Sequence, residues 1–219
     1  DASPLRMPDE EPAAAIASIG VACDRETTAK VIRLCEGWAA GIVLTTMAIR
    51  DGVSVDETAG GNGVVSRYLV EEILDRLDGS LVDFVVDSSV LDRFSAAQLD
   101  DLLDRTDAAV LLDDLTAWAD GFLVALDHRR RWYRYHRLVA DVLRDRLQSR
   151  NPDRFRRLTS RASVLLEQDG DVDGALLHAV AAGDRGRAAA LVGRDAVRLG
   201  FDGRAGVLAR RLGMLDSAT

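Results

Sequence analysis

Two short β-prone runs stand between long stretches of helical pattern and do most to limit what this chain can fold into. Phe122-Leu123-Val124-Ala125-Leu126 and Trp132-Tyr133-Arg134-Tyr135 concentrate aromatic and branched residues, with the polar connector Asp127-His128-Arg129-Arg130-Arg131 between them. Runs this short, joined this closely, predict a β-hairpin. Immediately after it, Arg137 to Gln148 reads as a helix with Leu138, Val139, Val142, Leu143 and Leu147 as its core stripe.

The preceding residues keep the 3.6 period. Pro12 to Gly20 is helical, with Pro in the first turn. Asp24 is an N-cap, and Val31, Leu34, Cys35 and Trp38 share one face of the next helix. An apolar helix runs from Ile42 to Ile49 until Asp51-Gly52 stops it, and Val53 to Val64, with Gly60-Gly61-Asn62-Gly63, reads as a loop. Ser66 caps a helix with Leu69, Val70, Ile73, Leu74 and Leu77 on its core face; Leu81 to Val90, Ala96 to Arg105 (capped by Ser95) and Leu111 to Trp118 follow. Short helices, a ribbon and a further helix predict a winged-helix-like arrangement.

Beyond Asn151-Pro152 four helices are expected: Asp153 to Gln168, Val172 to Ala182, Arg185 to Leu199 and Gly203 to Leu212. Ala162, Ala175, Ala179, Ala182 and Ala188 supply the small residues that stacked helical hairpins need at close approach, so this region reads as the start of a TPR-like solenoid. With only about two hairpins and a start at Asp1 without Met, the chain is expected to be part of something longer. Scarce Pro and abundant Ala and Leu agree with a mostly α fold. The expected organisation is a helical domain over 1–78, a winged-helix domain with a small β-hairpin over 79–150, and TPR-like helical hairpins over 151–219.

Charge and chemistry narrow the function. A net charge of −8 is the wrong sign for a dedicated nucleic-acid binder. Arginines crowd from His128 to Arg161 and acids from Asp75 to Asp120, as solvated faces or as two halves of an intramolecular docking surface. Cys23 and Cys35 lack metal-site or disulfide spacing and read as buried thiols. No apolar run reaches the ~18 residues of a membrane span and no signal-peptide pattern opens the chain, so the cytoplasm is the expected compartment. His128, His136 and His178 are not at metal-ligand spacing, and no GxSxG, HExxH or paired-carboxylate set appears. The glycines at 60–63 lack the Lys of a phosphate loop and read as a linker. A complete enzyme is therefore not expected.

Two features keep alternatives open. Arg129-Arg130-Arg131 beside Trp132, Tyr133 and Tyr135 could form a nucleic-acid surface on a wing, or the aromatics could enter the core and leave the arginines at a solvated tip. His136 stands where strand gives way to helix, where imidazole and helix N-terminal amides could converge on an anion; it could equally be a packing or capping residue.

Three stretches taken together resemble one family. Glu36-Gly37-Trp38-Ala39-Ala40-Gly41-Ile42, Tyr68-Leu69-Val70-Glu71-Glu72-Ile73-Leu74 and Trp132-Tyr133-Arg134-Tyr135-His136-Arg137-Leu138 look like successive signatures of the MalT-like regulators, with Phe84 to Arg93 and Ala175 to Asp184 in matching order. These regulators are large ATP-binding LuxR-family transcription activators among the signal-transduction ATPases with numerous domains. The resemblance implies a nucleotide-binding core before Asp1, a superhelical sensor region from residue 153, and a DNA-binding helix-turn-helix beyond Thr219. It implies that His136 lies near the β-phosphate of ADP in the resting state, and that Gly37, Trp38 and Ala39 pack near the adenine, where Ala39 departs from the frequent Pro. By the same resemblance the segment holds no cofactor of its own and ATP or ADP belongs to the parent protein. Its partners would be the parent's core, a protein or small-molecule inducer on the helical repeats, and DNA only through a domain outside this chain. A serine/threonine protein kinase carrying the same regulatory region, and a stand-alone DNA-binding winged helix, are the competing expectations.

Overall fold

Asp24 opens the first described long helix, α1 (Arg25–Leu34), by accepting a hydrogen bond from the Thr27 amide at 2.7 Å. The computed structural model describes residues 16, 19, 24–36, 38–52, 54, 67, 70, 71, 74–118, 122–201 and 205–216. The expected helix from Pro12 to Gly20, the loop from Val53 to Val64, the cap at Ser66, and Cys23 lie largely or wholly outside them.

The α1 helix stops earlier than its apolar face suggests. Glu36 takes a left-handed backbone (φ 47°), and Trp38 is not on α1 but opens α2 (Ala39–Arg50), its carbonyl accepting from the Ile42 amide at 3.0 Å. Trp38 is nevertheless buried, in the apolar cluster that holds Val70 and Leu74, whereas Val31 and Cys35 belong to a second, smaller one. Gly52 closes α2 at φ 96°, a conformation glycine adopts without a Cβ penalty.

Next, α3 (Gly79–Ser88) starts before Leu81 because Asp78 caps it, accepting from the Leu81 amide at 3.0 Å. A reciprocal capping box between Ser95 and Gln98 opens α4 (Ala96–Leu103). Left-handed Asp104 ends α4 short of Arg105, and α5 (Ala108–Trp118) begins one turn before Leu111, where the Asp100 carboxylate accepts from the Ala108 amide at 3.0 Å.

The hairpin forms as expected, with narrower strands. The strands β1 (Leu123–Ala125) and β2 (Tyr133–Tyr135) pair antiparallel, Val124 opposite Arg134. Phe94 adds a bridge to Tyr133, the two exchanging backbone hydrogen bonds at 2.9 and 2.8 Å. In this way the segment after α3 is tied to the ribbon.

Two longer helices follow, α6 (Arg137–Arg150) and α7 (Pro152–Gln168), separated by Asn151 alone; its side chain caps α7 and Pro152 takes the first-turn position where no amide is needed. The chain continues through α8 (Val172–Ala181), α9 (Arg185–Phe201) and α10 (Ala205–Asp216). Ala162, Ala175, Ala179 and Ala188 are buried, and Ala182 is half-buried, where α7, α8 and α9 approach closely. The buried Ser163 hydroxyl donates to the Ala175 carbonyl and accepts from Arg187, whose other arm pairs with Glu167 at 2.6 Å.

One buried apolar cluster runs from Trp38 and Val70 through Phe84, Phe94, Phe122 and Leu143 to Leu176 and Leu191. Each fully buried Phe contributes roughly 1.5–3 kcal/mol of transfer free energy. A smaller cluster joins Ile16, Val31, Cys35 and Ile42 to Leu138 of α6. The fold is mostly α: ten helices among the described residues, a two-stranded antiparallel sheet, and a winged-helix arrangement at its centre.

Candidate functional site

Where β2 becomes α6, His136 serves as the helix N-cap. Its Nδ1 accepts from the Leu138 amide at 3.3 Å, and its Nε2 stands 2.9 Å from the backbone carbonyl oxygen of Cys35. An acceptor at Nδ1 and a carbonyl facing Nε2 define a neutral ring with its proton on Nε2. Only 2% of the residue is exposed. Burial holds the imidazole below the usual histidine range; the Cys35 carbonyl and the Glu36 carboxylate oppose that shift, and Arg134 adds to it.

Trp38 completes one wall of the site. Its ring centroid lies 5.0 Å from that of His136, tilted by 42°. The Trp38 amide donates to the same Cys35 carbonyl at 2.6 Å, so one oxygen positions both the indole and the imidazole. Gly41 makes the arrangement possible: a Cβ there would stand 2.9 Å from the Trp38 ring. The neighbouring Cys35 thiol meets the Thr45 hydroxyl at 3.5 Å and is pushed up to about 11 by burial, which makes it an inert structural thiol.

Of the residues singled out in the sequence, the structure brings His136 and Trp38 into contact. Ala39 follows them at the exposed first position of α2, and Gly37 lies outside the described residues. The α6 amide and the imidazole bond to each other in this arrangement rather than converging on a third group. Sequence reasoning missed Arg134 and Glu36, whose side chains pair at 2.5 Å beside the histidine. Strand alternation could have flagged Arg134, since it shares the side of the ribbon opposite Tyr133 and Tyr135.

The remaining histidines and the wing are placed elsewhere. His128 is exposed at the ribbon tip with Arg129, Arg130 and Arg131. Tyr133 and Tyr135 are buried, and half-buried Trp132 lies under the Arg93 guanidinium at 5.6 Å. The Asp127 carboxylate accepts from the Arg131 and Trp132 amides at 2.7 and 3.3 Å, which shapes the tip. His178 places Nε2 2.8 Å from the Val90 carbonyl, a tie between α8 and the end of the α3 segment that no sequence pattern signalled. Among the described residues no helix is long and apolar enough to cross a membrane, and no group of three His, Cys, Asp or Glu could hold a metal ion.

Comparison with known proteins gives this geometry a context. Residues 70–155 match the MalT winged helix domain, a span that includes the ribbon, His136 and α6. The chain is 29% identical over 204 residues to the serine/threonine-protein kinase PknK of Mycobacterium tuberculosis, covering 91% of this chain and 18% of that protein. It is 34% identical over 117 residues to the HTH-type transcriptional regulator MalT of Vibrio cholerae, covering 53% of this chain and 13% of the relative. The corresponding regulator of Klebsiella pneumoniae is 29% identical over 161 residues, 69% of this chain and 18% of the relative. The chain thus spans less than a fifth of the length of each of these relatives.

Proposed function

Because residues 70–155 are a MalT winged helix domain, we propose that the chain is a non-catalytic regulatory segment that couples the nucleotide state of a preceding ATPase core to signal sensing on its helical repeats. The observation that carries this reading is the buried junction of His136, Trp38 and the Cys35 carbonyl. It joins the helical segment before the winged helix to the strand–helix corner within it. A phosphate replacing the Cys35 carbonyl at Nε2 would keep the ring neutral and its proton donated, so the histidine could report bound ADP without a change of tautomer. Retention of ADP would then favour the closed arrangement by the difference in its affinity for the closed and open states, typically ~1–3 kcal/mol. ATP, together with a protein or small-molecule inducer on the repeats, would favour the open form. The segment acts in the cytoplasm and meets DNA only through another domain of the parent.

The experiment is His136→Ala in the full-length protein. ADP dissociation is expected to accelerate and basal output to rise; unchanged dissociation with unchanged output rejects the reading.

A second reading keeps the module and changes the effector. The kinase PknK aligns over 91% of this chain, more than the 53% and 69% aligned with the two MalT regulators. On that reading the readout of the same experiment is phosphorylation of a protein substrate instead of transcription.

A further inference from the structure

Arg134 has no role in the nucleotide reading of His136, yet its geometry is bound to that residue. The two stand two positions apart where β2 leads into α6, an extended spacing that directs both side chains to one side of the backbone. Both reach the same turn. His136 meets the Cys35 carbonyl at 2.9 Å, and an arm of Arg134 meets the carboxylate of the next residue, Glu36, at 2.5 Å. Glu36 and Arg134 also act on the imidazole in opposite electrostatic senses, so the three groups form one cluster.

The conformation of Glu36 adds a second observation. It ends α1 in left-handed backbone at φ 47°, a position that glycine or asparagine fills at less cost. What glutamate supplies there is a carboxylate for Arg134, in a pair whose side chains are only 31% and 34% exposed. One arm of the guanidinium donates to Glu36 and the other to the Tyr135 carbonyl at 3.3 Å. A guanidinium arm donates to carboxylate and phosphoryl oxygens alike, so the Glu36 oxygen occupies a place that a phosphate oxygen would take.

We propose that Arg134 is a second phosphate-binding residue beside His136, and that Glu36 is an internal competitor that holds Arg134 until the phosphates of a nucleoside diphosphate displace it. The inference rests on the nucleotide reading above. Nucleotide binding and the Glu36–Arg134 contact then exclude one another, which sets how readily the site gives up its ligand.

The test is the dissociation rate of ADP from the full-length protein carrying Glu36→Gln, Arg134→Gln, Arg134→Lys or His136→Ala. Glu36→Gln frees the guanidinium and should slow dissociation roughly tenfold, the effect of one charge-assisted hydrogen bond; Arg134→Gln should speed it by a similar factor, and Arg134→Lys should recover part of the loss. A merely structural ion pair is broken equally by both glutamine variants, so opposite directions cannot come from lost structure. Shifts in the same direction, or none, while His136→Ala still accelerates release, overturn this inference and leave the nucleotide reading standing. No effect from His136→Ala either removes both.

Discussion

Arg154, in the first turn of α7, closes both arms of its guanidinium on the carboxylate of Asp87, near the end of α3. Its Nε reaches Oδ1 at 2.7 Å, and the second arm reaches Oδ2. The Asp87 side chain is 6% exposed, so a charge sits at the joint between the winged-helix segment and the first repeat helix with little water to solvate it. The same joint carries Gln98 on Asp169 at 2.5 Å, Arg161 on Asp104, and His178 on the Val90 carbonyl at 2.8 Å. Displacing the repeats from the winged helix means breaking these polar ties together.

Arg154→Leu is therefore expected to destabilise the chain by about 2 kcal/mol, because the buried Asp87 carboxylate is left without its partner. The half-exposed arginine keeps the cost below that of a fully buried pair. Removing both groups, as Asp87→Leu with Arg154→Leu, should cost less than the sum of the single changes. Denaturant midpoints of the four proteins check this, and strict additivity contradicts it.

A different asymmetry is expected inside the winged helix. The Tyr135 hydroxyl and the Ser88 hydroxyl stand 2.6 Å apart in the core, and Ser88 also donates to the Phe84 carbonyl at 2.7 Å. Tyr135→Phe leaves Ser88 with that second partner, so the loss should be near 1 kcal/mol. Ser88→Ala strands the phenol, 2% exposed, and should cost about 2 kcal/mol or more. Thermal unfolding of both variants decides the order, and a costlier Tyr135→Phe would contradict it.

The parts of this fold legible in the sequence are those written in short-range pattern. The ribbon stood out because two short runs rich in aromatic and branched residues flank a polar connector, and α6 because its leucines and valines keep one face. Helix ends were less legible: left-handed Glu36 and Asp104 stop α1 and α4 where apolar periodicity would continue them. His136 was visible as a strand–helix corner, but its partners were not. Cys35 lies 101 residues away and offers a backbone carbonyl, an atom every residue carries, so no residue type marks it. Glu36 and Arg134, 98 residues apart, each look like ordinary surface charge until the fold joins them.

Gly41 tests how tightly the indole is held against the histidine. In an ordinary helix Gly→Ala gains about 1 kcal/mol of propensity. Here the added Cβ would meet the Trp38 ring at 2.9 Å and the Cys35 sulfur at 3.4 Å, and overpacking of this kind costs about 1–3 kcal/mol. The net expectation for Gly41→Ala is a loss of about 1 kcal/mol with Trp38 displaced from His136. Unfolding midpoints give the first quantity and near-UV circular dichroism the second; a stabilised protein with an unchanged aromatic spectrum would show that the ring yields freely.

The burial of His136 carries a pH dependence whose sign follows from its direction. The folded protein holds the imidazole below its ordinary value of about 6.5, so the folded state binds fewer protons than the unfolded chain as pH falls through this range. The stability contributed by the neutral ring is therefore complete above about 6.5 and declines as pH drops toward the lower folded value. The structural reason is local: a proton on Nδ1 would face the Leu138 amide, turning an acceptor for the α6 cap into a second donor. The described carboxylates with resolved shifts, Asp24, Asp78, Asp104, Asp107, Asp127, Glu167 and Asp173, are all shifted downward, so their losses fall at more acidic pH. Denaturant midpoints measured from about pH 7.5 to 5 should fall for the wild-type chain, whereas His136→Gln should start lower and vary less across that window. Parallel profiles for the two proteins would mean that some other group carries the acid sensitivity.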